Sequence, residues 1–251
     1  MHHKTRVESD QTVPSTGYRS KGMAAAGFLF TAGWVGVHRL PDGSAGELAG
    51  TFEEQVEIIC RYLDAVTQAG GTHKERVVEV SAFVAGGQSE AYTRQCVAQY
   101  LGFDPPHFTY HAVDFVARDG FLELDWTALL DSSPYSVAEA IEILRPFGVQ
   151  PGLFRSGPFV ILNHVKAPGA DLGEQTYNLM ANADRILQEA GTSLSNVVNI
   201  RVFWTGDRDT YPLFNIATKE IFASFEPPTR SVVESENLTE GHLLRVDFLA
   251  V

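Results

Sequence analysis

An α/β chain made of two tandem copies of one unit, each a mixed β-sheet with two helices on one face, is what this sequence predicts. Three observations carry the prediction. Segments of the first half return in the second: Glu54-Gln55 as Glu174-Gln175, Gly71-Thr72 as Gly191-Thr192, and Val77-Val78-Glu79-Val80 as Val197-Val198-Asn199-Ile200, each 120 positions on. Self-similarity at a fixed spacing is the signature of an internal repeat. β-branched runs alternate in both halves with segments of helical apolar period. A proline pair then precedes a late strand in each half, Pro105-Pro106 and Pro227-Pro228, where two rings fix φ and deny a helix. The pairs stand 122 positions apart, so a loop takes up two extra residues.

The elements follow in order. Residues 1 to about 16 are polar and aperiodic, which predicts a loose N-terminal arm. Phe28 to Val35 reads as a strand and Pro41-Asp42-Gly43-Ser44 as a turn. Phe52, Val56, Ile59, Leu63 and Val66 line one face of a helix that ends near Gly70-Gly71, and Thr51 with Glu54 fits a capping box at its start. Val77 to Val84 is a β-branched strand closed by Gly86-Gly87. A second helix from about Ser89 to Leu101 should turn Tyr92, Cys96, Val97 and Tyr100 inward. Strands over roughly 107–116 and 121–130 finish the half. The second half repeats this order, and Tyr211, Phe214, Phe222 and Phe225 have the helical spacing of core residues. Between the halves, Asp131-Ser132-Ser133-Pro134 opens a connector in which Val137, Ala140, Ile141 and Leu144 predict a short helix stopping before Pro146 and Gly148. The expected units are residues 1–130, a connector over 131–150, and residues 151–251.

Composition narrows the function. With 44% hydrophobic and 20% charged residues the chain has the makings of a packed core. A formal charge of −12, with no Lys/Arg-rich run, repels phosphate backbones, so nucleic acid is not an expected partner. No apolar run is long enough to span a bilayer, and Met-His-His-Lys is not followed by an apolar signal core, which predicts a cytoplasmic protein without a membrane partner. Cys60 and Cys96 read as buried free thiols on helices. The sequon Asn237-Leu238-Thr239 carries no weight without a secretory signal. Nucleotide-binding loops of the Gly-x-Gly-x-x-Gly and Walker kinds and a Gly-x-Ser-x-Gly elbow are missing from the sequence. His107 and His111 fall in a predicted strand, where four residues span roughly 13 Å, too far to share one metal ion. No metal and no cofactor are expected.

The most informative stretch is Phe225-Glu226-Pro227-Pro228-Thr229-Arg230-Ser231-Val232-Val233-Glu234. It holds one arginine at a strand entrance, where a planar guanidinium grips a carboxylate through two parallel hydrogen bonds or else serves a surface ion pair. The first half has Phe108 in that place.

Each half thus reads β-β-α-β-α-β-β, with Pro-Pro-x-Arg-Ser opening the fourth strand of the second. This order and motif resemble the Rid/YjgF (RidA-like) family of reactive-intermediate deaminases, whose domains share the chorismate-mutase-like fold. Phe30-Thr31-Ala32-Gly33 is similar to that family's strand ending in Ser-Gly, and Leu122-Glu123-Leu124-Asp125 to its closing Glu-x-Glu strand. The resemblance implies a hydrolase that deaminates a 2-imino or enamine acid, or a related small carboxylate, to the keto acid and ammonia without a cofactor. It also implies a homotrimer with clefts between subunits, in which the residue corresponding to Arg230 grips the substrate carboxylate and a glutamate of the last strand helps position water. Carried over, the catalytic candidates are Arg230, Glu123 and Asp125, and the substrate-binding candidates are Arg245, Asp247, Asn163, His164, Tyr18 and Gly33.

The two copies depart from the family pattern in opposite ways. The first keeps Glu123 and Asp125 but has Phe108 for the arginine. The second keeps Arg230 but has Arg245 for the glutamate, with Asp247 matching Asp125. The family's strand serine becomes Ala32 in one copy and Asn163 in the other. Glu123 and Asp125 leave one face of a strand, either for acid/base work at a cleft or as a solvated surface. Arg245 with Asp247 is either part of an anion pocket beside Arg230 or a plain ion pair. One expectation is a composite cleft with Arg230 of the second copy facing acidic residues of the first. The alternative is a silent or repurposed module that binds a small anionic metabolite or serves a specialised biosynthetic step.

Overall fold

The computed structural model describes residues 3–15, 17–235, 238 and 241–251. Asn237 and Thr239 of the sequon lie outside them. The first half runs β1 (Lys4–Val7), β2 (Gly22–Ala25), β3 (Phe28–Thr31), β4 (Val37–Arg39), β5 (Ala45–Leu48), α1 (Phe52–Ala69), β6 (Val77–Val84), α2 (Glu90–Leu101), β7 (His107–Ala112) and β8 (Leu122–Leu129). The connector helix is α3 (Val137–Leu144). The second half runs β9 (Gly152–Ser156), β10 (Phe159–Val165), α4 (Leu172–Glu189), β11 (Val197–Trp204), α5 (Tyr211–Ile221), β12 (Thr229–Glu234) and β13 (Leu244–Ala250).

One sheet has the order β1-β2-β3-β8-β6-β7 and the other β9-β10-β13-β11-β12, so from β2 onward the topologies coincide. Each sheet has a parallel pair, β6 with β7 and β11 with β12, where a helix carries the chain back to the same end of the sheet. The remaining pairings of both sheets are antiparallel. The duplicated α/β unit predicted from the sequence is the fold observed.

Local chemistry places the elements. Thr51 and Glu54 form the predicted capping box, each side chain accepting the other's backbone N–H at 3.2 Å. The second copy keeps half of the device, with the Asp171 carboxylate accepting from Glu174 N at 2.8 Å. Two expectations change. Lys4–Val7 is not a loose arm but pairs with β2, and Lys4 Nζ donates to the Val197 and Glu226 carbonyls of the other half. That order comes from hydrogen bonds, which leave no apolar period to read. The buried face of α2 is Thr93, Val97 and Leu101, turned from the expected one, while Tyr92 stays exposed and Cys96 half-exposed. Thr93 is tolerated inside because its hydroxyl donates to Ser89 O at 3.0 Å.

One core lies between each sheet and its own helices. The first contains Val56, Ile59, Leu63, Val80, Leu124 and Trp126, the second Leu179, Met180, Leu187, Ile200, Phe214 and Phe248. A third core joins the opposite faces of the two sheets: Phe28, Phe30 and Val78 of the first half meet Phe159, Ile161 and Leu249 of the second, sealed by Ala140, Ile143, Leu144 and Phe147 of the connector. The faces cover each other within one chain, so neither sheet needs a second chain to bury this side, whereas the family resemblance implies a trimer. Light scattering at micromolar concentration is therefore expected to return about the mass of one chain, 27.5 kDa. A mass three times larger would show that a further surface drives assembly.

Candidate functional site

The site is assembled by β12. After the two prolines the strand enters extended, and its alternate residues Arg230, Val232 and Glu234 line a cleft of about 270 Å³. Arg230 is 3% exposed. Its Nη2 donates to Asn215 Oδ1 at 2.9 Å and its Nη1 to Thr218 Oγ1 at 3.4 Å, both on α5, and its guanidinium lies 5.0 Å from the Phe214 ring. Nε has no partner, and among the described residues no carboxylate pairs with the group. A buried cation without an anion is costly, and a bound carboxylate would relieve it.

The first half supplies the opposite wall. Beyond β3, Gly33 N donates to Arg230 O at 3.1 Å, which pins the two halves together at the arginine. Glycine is required there, because a Cβ would lie 1.9 Å from Glu123 Oε1 and 2.7 Å from Ser231 Oγ. Glu123 of β8 accepts a hydrogen bond from Val232 N at 3.0 Å, so its carboxyl reaches across to the strand that carries Arg230. Burial pushes the Glu123 carboxyl up to about 7, and the Asp125 charge adds to the rise against the pull of Arg19, the Val232 N–H and Arg230. The Arg19 Nη1 donates to Gly33 O at 2.8 Å and to Arg230 O at 3.0 Å, and its guanidinium sits 5.5 Å from the Trp34 ring. Gly17, at φ +84°, leaves room for the arginine, since a Cβ would come within 2.4 Å of Arg230 Nη2. A carboxyl that titrates near neutrality beside an unpaired guanidinium has the parts for holding a carboxylate and moving a proton.

Arg230 and Glu123, from unlike halves, thus meet in one cleft, and Gly33 lines it with them. The other candidates lie elsewhere. Asp125 is 1% exposed behind the cleft, accepting from Ser231 Oγ at 2.5 Å and lying 3.9 Å from Arg201. Arg245 does not join Arg230: it lies 3.9 Å over the Phe203 ring and 3.9 Å from Asp247, the plain ion-pair geometry. Asn163 and His164 hold the connector, not the cleft. Asn163 accepts from Gly148 N and donates to the carbonyls of Pro146 and Gln150, while His164 N donates to Asp247 Oδ1 at 2.6 Å. Tyr18 packs on the core of the second half. Asn163 and His164 are drawn off by connector residues 146–150, which lie against them.

Sequence reading passed over Arg19, Asn215, Tyr211 and Arg208, which also line the cleft. Tyr211 stands among aromatics read as core, and it does pack on Trp204 and Phe214 while also lining the cleft. The similarity between Tyr18-Arg19-Ser20 and Phe154-Arg155-Ser156 was the one signal that could have raised Arg19. Even so, Arg155 spends its guanidinium on Ala190 O.

Residues 149–251 match the family model described as Endoribonuclease L-PSP. No curated protein matches the sequence. Among solved structures, yeast Mmf1 aligns at 19% identity and a TM-score of 0.46, covering 51% of this chain and all of its own. RidA of the Antarctic bacterium Psychrobacter sp. aligns at 17% and 0.45, covering 50% of this chain and 99% of its own. TdcF of E. coli, solved with bound serine, aligns at 18% and 0.45, covering 50% and 98%. Residues 149–251 thus carry the signature of the endoribonuclease L-PSP family, the Rid/YjgF family, and the first half repeats the same strand order from β2 onward.

Proposed function

We propose that the protein hydrolyses the C=N bond of a 2-imino acid, or of the enamine that tautomerises to it, giving the 2-oxo acid and ammonia. The observation that carries this reading is the unpaired Arg230 guanidinium of one half facing the Glu123 carboxyl of the other in a single cleft. Arg230 would hold the substrate carboxylate in two hydrogen bonds, which fixes the imine carbon next to Glu123. In its ionised form Glu123 takes a proton from the attacking water, and in its protonated form it returns one to the departing nitrogen. Water adds its oxygen to the carbon, the C–N bond breaks and ammonia leaves, so no oxidant or reductant enters. A carboxyl titrating at about 7 has both forms populated at neutral pH, which suits a group that must take and give a proton in one cycle.

Glu123 and Arg230 contact the substrate. Asp125 supports Ser231 from behind, beside the arginine. The endoribonuclease activity in the family's description fits less well, since a chain of formal charge −12 confines its arginine pocket to a cleft of about 270 Å³. The test is the loss of freshly generated 2-iminopropionate followed against a no-enzyme control, with ammonia and pyruvate measured as products. Acceleration is expected with the wild-type chain. Its absence, together with intact pyruvate binding, would leave a carboxylate-binding module without chemistry.

A further inference from the structure

We infer that the cleft is built for imino or enamine acids with an aromatic side chain, in preference to the smallest members of that class or to those with a second carboxylate. This rests on the Arg230–Glu123 reading and adds what lies beyond the reacting carbon. Alternate residues of a strand share a face and rise about 3.3 Å each, so Arg230, Val232 and Glu234 mark out roughly 13 Å of cleft floor in that order. Gly33 and Val35 run the same way on the opposite wall. On α5, Asn215 holds Arg230, and Tyr211 stands one turn earlier, toward the mouth. The inner end is therefore charged, the middle is two valines, and the outer part is Phe115, Trp204 and Tyr211.

Size and charge agree on what that outer part accepts. A volume of 270 Å³ is room for about nine waters at liquid density, so a three-carbon imino acid on Arg230 would leave much of it unfilled. Trp204 and Tyr211 pack with ring centroids 5.2 Å apart, and Phe115 reaches the same space from the other half. Aromatic walls favour a flat apolar group. The charges at the mouth already have partners. Arg208 lies 3.2 Å from Glu234 and 3.4 Å from Asp119, with its guanidinium 3.5 Å over the Phe115 ring, and Arg118 donates to Gly46 O at 3.1 Å. To meet a second substrate carboxylate, Arg208 would have to leave Glu234 and Asp119, and the mouth's carboxylates would repel it, whereas an aromatic ring disturbs neither pair.

Calorimetric titration of the full chain with phenylpyruvate, pyruvate and 2-oxoadipate, oxo acids that stand for the products, tests this. Phenylpyruvate is expected to bind at least tenfold more tightly than either of the others. Tyr211→Ala and Phe115→Ala, one change in each half, should each shrink the phenylpyruvate-to-pyruvate ratio several-fold. Pyruvate and phenylpyruvate binding within threefold of each other, or 2-oxoadipate binding most tightly, would overturn the aromatic preference and leave the Arg230–Glu123 reading standing. If none of the three binds, both readings fall together.

Discussion

Arg230→Ala is expected to weaken pyruvate binding about ten- to a hundredfold while the protein stays folded. A charge-assisted, two-pronged grip on a carboxylate contributes roughly 1.5–3 kcal/mol, which sets that range. Asn215 and Thr218 hold the guanidinium through neutral oxygens only, so the wild-type protein keeps a buried charge that no carboxylate of the described residues pairs with. Removing an unpaired buried cation relieves a desolvation cost, so the thermal midpoint of the alanine variant should be no lower than that of the wild type once the small cavity is allowed for. Calorimetric titration with pyruvate and a melting curve together decide the point. Unchanged affinity would mean that the cleft does not recognise carboxylates through this residue.

Glu123→Gln should have the opposite signature, with turnover of the imine reduced by about 10²–10⁴-fold and pyruvate binding largely spared. Glutamine keeps the acceptor for Val232 N and loses only the proton. The same variant carries a pH signature in stability. Burial raises Glu123 from its ordinary value near 4.5 to about 7, so the folded state holds this proton more tightly than the unfolded chain. Its stabilising contribution is complete below about pH 4.5 and disappears as pH rises through about 7. Melting temperatures measured from pH 5 to 8 should therefore show the glutamine variant gaining on the wild type as pH rises, by up to about 3 kcal/mol. A pH-independent difference would show that Glu123 is ionised at all these values and does not exchange its proton during the reaction.

The complementary losses have a structural basis. Phe108, at the position of Arg230, is buried in the core between the first sheet and its helices, with Arg94 5.8 Å over its ring. The first copy has thus spent its arginine position on packing. Arg245, at the position of Glu123, is engaged with Phe203 and Asp247. Among the described residues, the arginine of one copy and the glutamate of the other line one cleft between the halves.

The sequence alone determined the duplicated unit, the order of its strands and helices and the capping box at Thr51 and Glu54, and it singled out Arg230, Glu123 and Gly33, which the fold brings to one cleft. These are local or periodic properties: apolar spacing, side-chain caps, prolines that fix φ, and a strand that alternates its faces. Tertiary structure alone decided that Arg230 meets Glu123 and not Arg245, because residues more than a hundred positions apart were brought together by packing between the halves. It also decided that Asn163 and His164 serve the connector and that Lys4–Val7 forms an edge strand, since both depend on hydrogen bonds to distant backbone that no periodicity encodes. The proton affinity of Glu123 belongs to the same class. Two carboxylates two residues apart look alike in the sequence, and only burial between the halves turned one toward the arginine cleft and sealed the other behind Ser231.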